Sequence, residues 1–332
     1  MTKQSKKRLG TALYILGLAA LFAGIVFIIL KNSSLYPVFI ISSACLTATG
    51  LYLNHSYQTK LGTFKLLQHF FLTIGAVIMV FPFYWMIASA FKTSAEMNLF
   101  PPTMAPKNWL NFDNFVIAFN TAPFARYFIN SVITCLSSVA ITTLTTILAA
   151  FAFSRLNFPG KEIIFSLLLS MMMVPFEILV ITNYTTIVKL GINDTLWALI
   201  LPFTSSIFYT YILRNFFQSI PDGLYWSARV DGCSNWRYLW KVMVPIAKPS
   251  LSTIVLLNAM ASWNSFMWPM LVIKQDTNRT LPFGLYTFTT EVGANNELLM
   301  AASSVVVLPM ILVFIFARKQ IVGGVARGGI KG

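Results

Sequence analysis

RNFFQSIPDGLYWSARVDGCSNWRYLWKVMVPIAK, residues 214–248, is a polar and basic stretch set between two apolar runs, 195–213 and 249–273. It has more internal order than a tether needs. Pro221 and Asp222 suit the first turn of a helix running to Arg229 or Val230, and Gly232 suits a left-handed stop just past its end. Ser234 is placed to cap a second helix, in which Trp236, Leu239, Trp240 and Met243 recur at i, i+3, i+4 and i+7. Pro245 and Pro249 close that helix and open the next apolar run. The spacing predicts a helix-turn-helix elbow with an aromatic stripe and the cations Arg229, Arg237 and Lys241 on its flanks. Such a face fits lipid headgroups, which meet aromatics and cations together, as well as a docked protein; the glycine turn favours docking modestly.

The runs on either side decide the fold. The chain has 332 residues, 57% of them hydrophobic and only 10% charged, against roughly 25% charged in soluble domains. That is too little charge to coat a globule. Eight apolar stretches are each long enough to cross a bilayer, at 13–30, 35–53, 70–91, 128–153, 163–182, 195–213, 249–273 and 298–317. Backbone in hydrocarbon must bond to itself, and runs so uniformly apolar lack the alternation of barrel strands, so they are expected as helices. The expected fold is an all-α polytopic membrane protein with eight transmembrane helices, two N-terminal anchors preceding a six-helix core. The polar stretch 55–65 divides residues 1–65 from 66–332. The first apolar run follows the basic MTKQSKKR as a signal peptide would, but it is long and no small-x-small cleavage site follows, so it is read as a retained anchor.

Charge orients the spans. With the N-terminus in the cytoplasm, 17 of the 24 Lys and Arg fall inside and seven outside, three of these in the long 92–127 loop that weighs little in orientation. Both termini are then cytoplasmic, and the formal +14 is a topology signal that makes nucleic acid an unnecessary partner and membrane lipid the expected one. Cys45, Cys135 and Cys233 give neither a disulfide framework nor a zinc pattern, and His55 and His69 stand alone, so neither a metal nor a catalytic cluster is expected. Asn278-Arg-Thr280 is an incidental sequon. Glu177 is the one acid within a span; near the outer end of its helix it is expected to serve a structural or gating role.

Several motifs in order carry a resemblance. Ala228-Arg-Val-Asp-Gly232-Cys-Ser234, followed by Pro245, resembles the EAA loop of ABC-importer membrane subunits, with Trp226-Ser227-Ala228 standing where the signature has Glu-Ala-Ala. Pro82-Phe-Tyr-Trp-Met, Ser89-Ala-Phe-Lys92, Pro101-Pro102, Ser154-Arg-Leu-Asn-Phe-Pro-Gly-Lys161, Met173-Val-Pro-Phe-Glu177, Leu190-Gly-Ile-Asn-Asp-Thr195, Trp263-Asn-Ser-Phe-Met-Trp-Pro269 and the ending Gly323 to Gly332 resemble the maltose-type sugar-importer permeases. The likeness runs from about Leu66 to the C-terminus.

The resemblance implies one permease subunit of an ATP-driven carbohydrate importer in the cell membrane. Its expected partners are a second permease in a heterodimer, two ATPase subunits that bind ATP and Mg, and an extracytoplasmic solute-binding protein. It places ATPase coupling on Trp226, Ser227, Ala228, Asp231, Gly232, Ser234 and Pro245. The chain lacks the G-x-x-x-x-G-K-[ST] loop, so no cofactor or catalytic residue of its own is expected, and hydrolysis falls to a partner. The loop 274–297 corresponds to the one that reaches for the binding protein.

A sugar path needs hydroxyl-matching groups and flat faces. Asn258, Trp263 and Asn264 are the candidates on the seventh span; Asn264, about 240° around an uninterrupted helix from Asn258, cannot share one wall with it. Interhelical bonding is the expectation for Asn264 and Trp268, leaving Asn258 as the pocket residue. An ion-coupled secondary transporter is the rival class, although no pair of intramembrane acids supports it; an importer of a non-sugar solute such as a glycerol phosphate is another.

Overall fold

Long uncharged runs leave the backbone no partner but itself, and every regular element among the described residues is helical. The computed structural model describes residues 60–290 and 295–328; the two expected anchor spans lie outside them. Three helices are long and apolar enough to cross a membrane, over Phe71–Ala90, Phe124–Arg155 and Asn296–Ile315. Three bent pairs raise the number to as many as six. The described residues form two units, 60–118 with 295–304 and 119–290 with 305–328.

In the first unit, α1 (Lys60–Ala90) runs into α2 (Ser94–Met97) and a proline-rich loop, and α3 (Asp113–Thr121) begins there. The Ser89–Lys92 motif has a physical role. Lys92 is fully buried, its Nζ donating to the Thr103 carbonyl at 2.5 Å and lying 4.2 Å from the Trp85 ring centre. Asn114 donates to the carbonyls of Ala90 and Lys92, and Phe91 packs against Trp109, Phe112 and Phe115. Glu96 closes a capping box with Thr93 and accepts from the Lys107 N–H at 3.0 Å. Burial pushes the Glu96 carboxyl up, but the Thr93 and Lys107 amides outweigh it and hold it below its ordinary value.

The second unit is built on α4 (Phe124–Arg155). Against it stand α5 (Lys161–Met171) and α6 (Phe176–Lys189), then α7 (Leu196–Ile200), a 3-10 turn over Leu201–Phe203, and α8 (Ile207–Gln218). The elbow holds α9 (Asp222–Val230) and α10 (Asn235–Tyr238); α11 (Lys248–Trp263) and α12 (Met267–Val272) follow, and α13 (Asn296–Gly328) belongs to this unit from residue 305 on.

Three expected spans are bent, and the bends are corrections to straight crossings. Residues 163–182 fold as α5 and α6 at 98°, because Pro175 has no N–H to continue a helix and pushes Val174 towards extended backbone. Residues 195–213 bend by 42° beyond Pro202. There the freed carbonyls are taken by α4, as Thr142 Oγ1 donates to Phe203 O at 2.5 Å and Thr145 Oγ1 to Thr204 O at 2.7 Å. Residues 249–273 are two helices, since Asn264 caps α11 and α12 starts only at Met267, so angular bookkeeping carried past Trp263 does not hold. At its base α11 meets the 235–246 segment at 80° between Pro245 and Pro249.

Candidate functional site

Two features of the second unit bear on function: the elbow at one end and a cavity among the broken helices. The elbow starts where Arg155 ends α4. Its guanidinium donates to Phe217 O at 2.9 Å in the last turn of α8 and to Ile220 O at 2.5 Å just beyond it, and pairs with Asp222 in the first turn of α9. Beside it Arg214 Nη2 reaches both Glu162 oxygens at 2.8 and 2.9 Å, its Nε donates to Phe153 O at 3.0 Å, and its guanidinium lies 4.1 Å from the Phe165 ring centre. Lys161 Nζ donates to Leu156 O at 3.1 Å. One end of the bundle is thus fastened to the elbow by cations that satisfy helix-terminal carbonyls.

The turn itself is a Schellman motif. Gly232 sits at φ +74°, its N–H donates to Arg229 O at 3.1 Å, and the Cys233 N–H donates to Ala228 O at 2.9 Å. Asp231 is the C-cap of α9, and the Ser234 side chain accepts from the Arg237 N–H at the start of α10. Ala228 packs on a core holding Leu213, Phe217, Tyr238, Leu239, Met243 and Ile254, which explains a small residue at that position. Tyr225 donates to Asn235 Oδ1 at 2.9 Å and stacks edge-on against Tyr238 at 5.1 Å, locking α9 on α10.

The second elbow helix departs from the expected stripe. The α-helix ends at Tyr238 and residues Leu239–Met243 form a π-turn. Trp236 faces outward at 62% exposure, as a headgroup or docking face would, but Leu239 and Met243 of the same stripe are buried, and Tyr238, outside the stripe, is fully buried. Trp226 and Val230 are also exposed, at 64% and 88%, and Ser227 and Pro245 lie on the surface. The elbow therefore buries one face in its own bundle and presents an apolar and basic face outward.

A cavity of about 120 Å³ lies among α4, the α7 break and the α11–α12 break, with Asn258, Ser262, Ser265, Trp268 and Phe203 in its wall. Asn258 is buried there. Trp263 is buried but turned away, edge-on to Phe128 and donating to Val306 O at 3.4 Å. Asn264 is exposed at the cap. Trp268 lines the cavity while its Nε1 donates to Ala198 O at 2.9 Å, so its interhelical bond and its place in the wall coexist. Glu177 stands exposed in the first turn of α6, where the helix N-terminus favours a carboxylate.

Across the far end, Asp194, at φ +60°, accepts the N–H groups of Lys274 and Gln275 on Oδ1 at 2.9 and 3.0 Å. Asn130 Nδ2 donates to Thr277 O and Arg279 O, fixing the 274–281 loop over α4. The sequence reading held Asp194 only as part of the Leu190–Thr195 motif, with no role, and did not mark Asn130. Among the described residues no group of three or more His, Cys, Asp or Glu is placed to hold a metal ion.

Bent membrane helices around a polar cavity, with a capped elbow at one end, define a transport subunit, and the comparisons agree. Residues 141–326 match the family described as Binding-protein-dependent transport system inner membrane component, and the chain belongs to that family. It is 33% identical to the arabinooligosaccharides transport system permease protein AraQ of Halalkalibacterium halodurans, over 79% of this chain and 96% of that one. To AraQ of Bacillus subtilis it is 30% identical, over 84% and 100%. A bacterial ABC transporter involved in import of the acidic polysaccharide alginate shares the fold at a TM-score of 0.71 and 21% identity, over 79% of this chain and 98% of that one.

Proposed function

We propose that this chain is one membrane-spanning half of an ATP-driven, binding-protein-dependent carbohydrate importer, and that it receives force through the 214–248 elbow. The observation that carries this is the outward face of Trp226, Val230 and Trp236 on an elbow whose other face is locked into the bundle. Large exposed aromatics on a rigid mount fit anchors for a groove in a separate ATPase, which would bind the ATP and Mg. Trp226, Ser227, Ala228, Asp231, Gly232, Ser234 and Pro245 form the coupling surface and its support.

The full assembly would pair this chain with a second, related permease, two ATPase subunits and an extracytoplasmic solute-binding protein. Eight spans with both termini cytoplasmic put the elbow on the ATPase side of the cell membrane, as the surplus of Lys and Arg there supports. The sugar path would run past Asn258, with Trp263 and Asn264 on the same stretch, and Glu177 would act at a gate or structural joint. Trp226→Ala with Trp236→Ala should weaken retention of the ATPase subunit on the affinity-purified complex by at least tenfold, with the permease pair still assembled. Undiminished retention would remove the elbow as the docking surface.

A further inference from the structure

The loop after α1 turns the usual distribution of polar and apolar side chains inside out. The first turn of α3 springs from Phe112, whose carbonyl accepts the Phe115 and Val116 N–H groups at 3.0 and 3.1 Å. Asn114 and Ala118, one turn apart, are buried, while Phe112 and Val116, also one turn apart, are exposed. The amide thus faces in and the apolar pair faces out. Leu110 beside them is 77% exposed, and Leu99, Phe100 and Trp109 on the same loop are exposed as well.

What covers this face follows from where it is fixed. Phe71–Ala90 is a span of 20 residues, about 30 Å long at 1.5 Å per residue, which equals the ~30 Å hydrocarbon core and puts Ala90 at its edge. Asn114 Nδ2 donates to Ala90 O at 2.8 Å and to Lys92 O at 2.7 Å, and Asn111 Nδ2 donates to Phe91 O at 3.4 Å. The Lys92 ammonium holds the other side of the loop through Thr103 O. These bonds pin the turn beside the last residue of the span, within a headgroup zone ~5–8 Å deep on each side of the core. Tryptophan is enriched in that zone, and an apolar patch of this kind marks a contact surface.

The charge of the loop agrees with its position. Residues 92–118 carry two cations and two acids; Lys92 and Glu96 are buried and bonded, and Lys107 and Asp113 are exposed. Lys107 and Asp113 line an open pocket of about 430 Å³ together with Leu99, Asn108 and Asn111. One cation, one carboxylate and two amides at the edge of an apolar patch match the phosphate and amine of a zwitterionic headgroup above its acyl chains.

We infer that residues 99–116 form a foot that rests its apolar side in the outer leaflet, with zwitterionic phospholipid as its partner, and so sets the depth of α1. The outer placement rests on the orientation given above; the partner does not depend on the solute carried.

The test uses the whole transporter. In intact cells, Leu110→Cys and Val116→Cys should react with a membrane-impermeant maleimide about tenfold more slowly than Lys107→Cys, over the background of the native cysteines, because apolar surroundings suppress the reactive thiolate. Equal rates at the three positions overturn the foot. Labelling of Lys107→Cys only after the cells are broken overturns its outer placement and, with it, the orientation of the spans. The purified complex in vesicles of phosphatidylethanolamine and phosphatidylcholine, with binding protein present, gives the second measurement. Benzoylphenylalanine in place of Leu110 or Val116 should yield phospholipid adducts on illumination. Adducts to the partner permease or the binding protein at both positions, without phospholipid, overturn lipid as the occupant. Phospholipid adducts that form only when phosphatidylglycerol is added overturn the zwitterionic class.

Discussion

Gly232 shows how much one residue can hold. A Cβ there would meet nothing within 4 Å, so the demand for glycine is conformational and not steric: φ +74° is a region that β-branched side chains resist. Gly232→Val should cost about 1–3 kcal/mol at the turn and release Cys233 from Ala228, tilting α10 against α9. Loss of ATP-driven uptake with the spans still inserted is the expected result, and Gly232→Asn, which tolerates the left-handed region, should keep most of it. Equal activity in the valine and glycine forms would mean that the turn is not needed in this geometry. Gly232 was legible because its conformational demand is local. Tyr238 was not, since it stands outside the apolar stripe and its burial comes from a core assembled by residues distant in the chain.

Among the elements, the link between α4, α8 and α9 is the part most suited to carry a push. Arg155 is buried along its side chain while its partner Asp222 is 77% exposed, so the ion pair is largely screened and the two carbonyl bonds to Phe217 and Ile220 matter more. Asp222→Asn should therefore change little. Arg155→Ala should reduce ATP-driven uptake about tenfold in complexes that retain the ATPase, and Arg155→Lys should not restore it, because a point charge cannot serve two carbonyls and a carboxylate at once. Full rescue by lysine, measured as uptake per assembled complex, would reduce the contact to a charge effect. Sequence marked Pro245 and Pro249 as the bounds of runs but carried the spans straight through Pro175 and Pro202, because hydropathy has no sense of angle. It could not distinguish a span that ends at a proline from one that bends by 98° beyond it.

At the scale of the molecule, long apolar runs and the low share of charged residues made the class of protein readable before any coordinate. The elbow was readable too, because its capping signals lie within 35 consecutive residues. The cavity was not: Thr134, Asn258 and Thr280 are far apart in the chain and meet only through the breaks in the helices. Serine and threonine are ordinary in membrane helices, so only their common lack of partners sets these apart.

The central claim is that the energy for transport arrives through the elbow from a separate ATPase. Uptake of labelled saccharide into proteoliposomes, with all ion gradients collapsed by ionophores, tests it most directly. The account predicts uptake that requires internal ATP and the ATPase subunits and is indifferent to the ionophores. Accumulation by this chain and its partner permease alone, driven by an ion gradient and abolished by the ionophores, would contradict it.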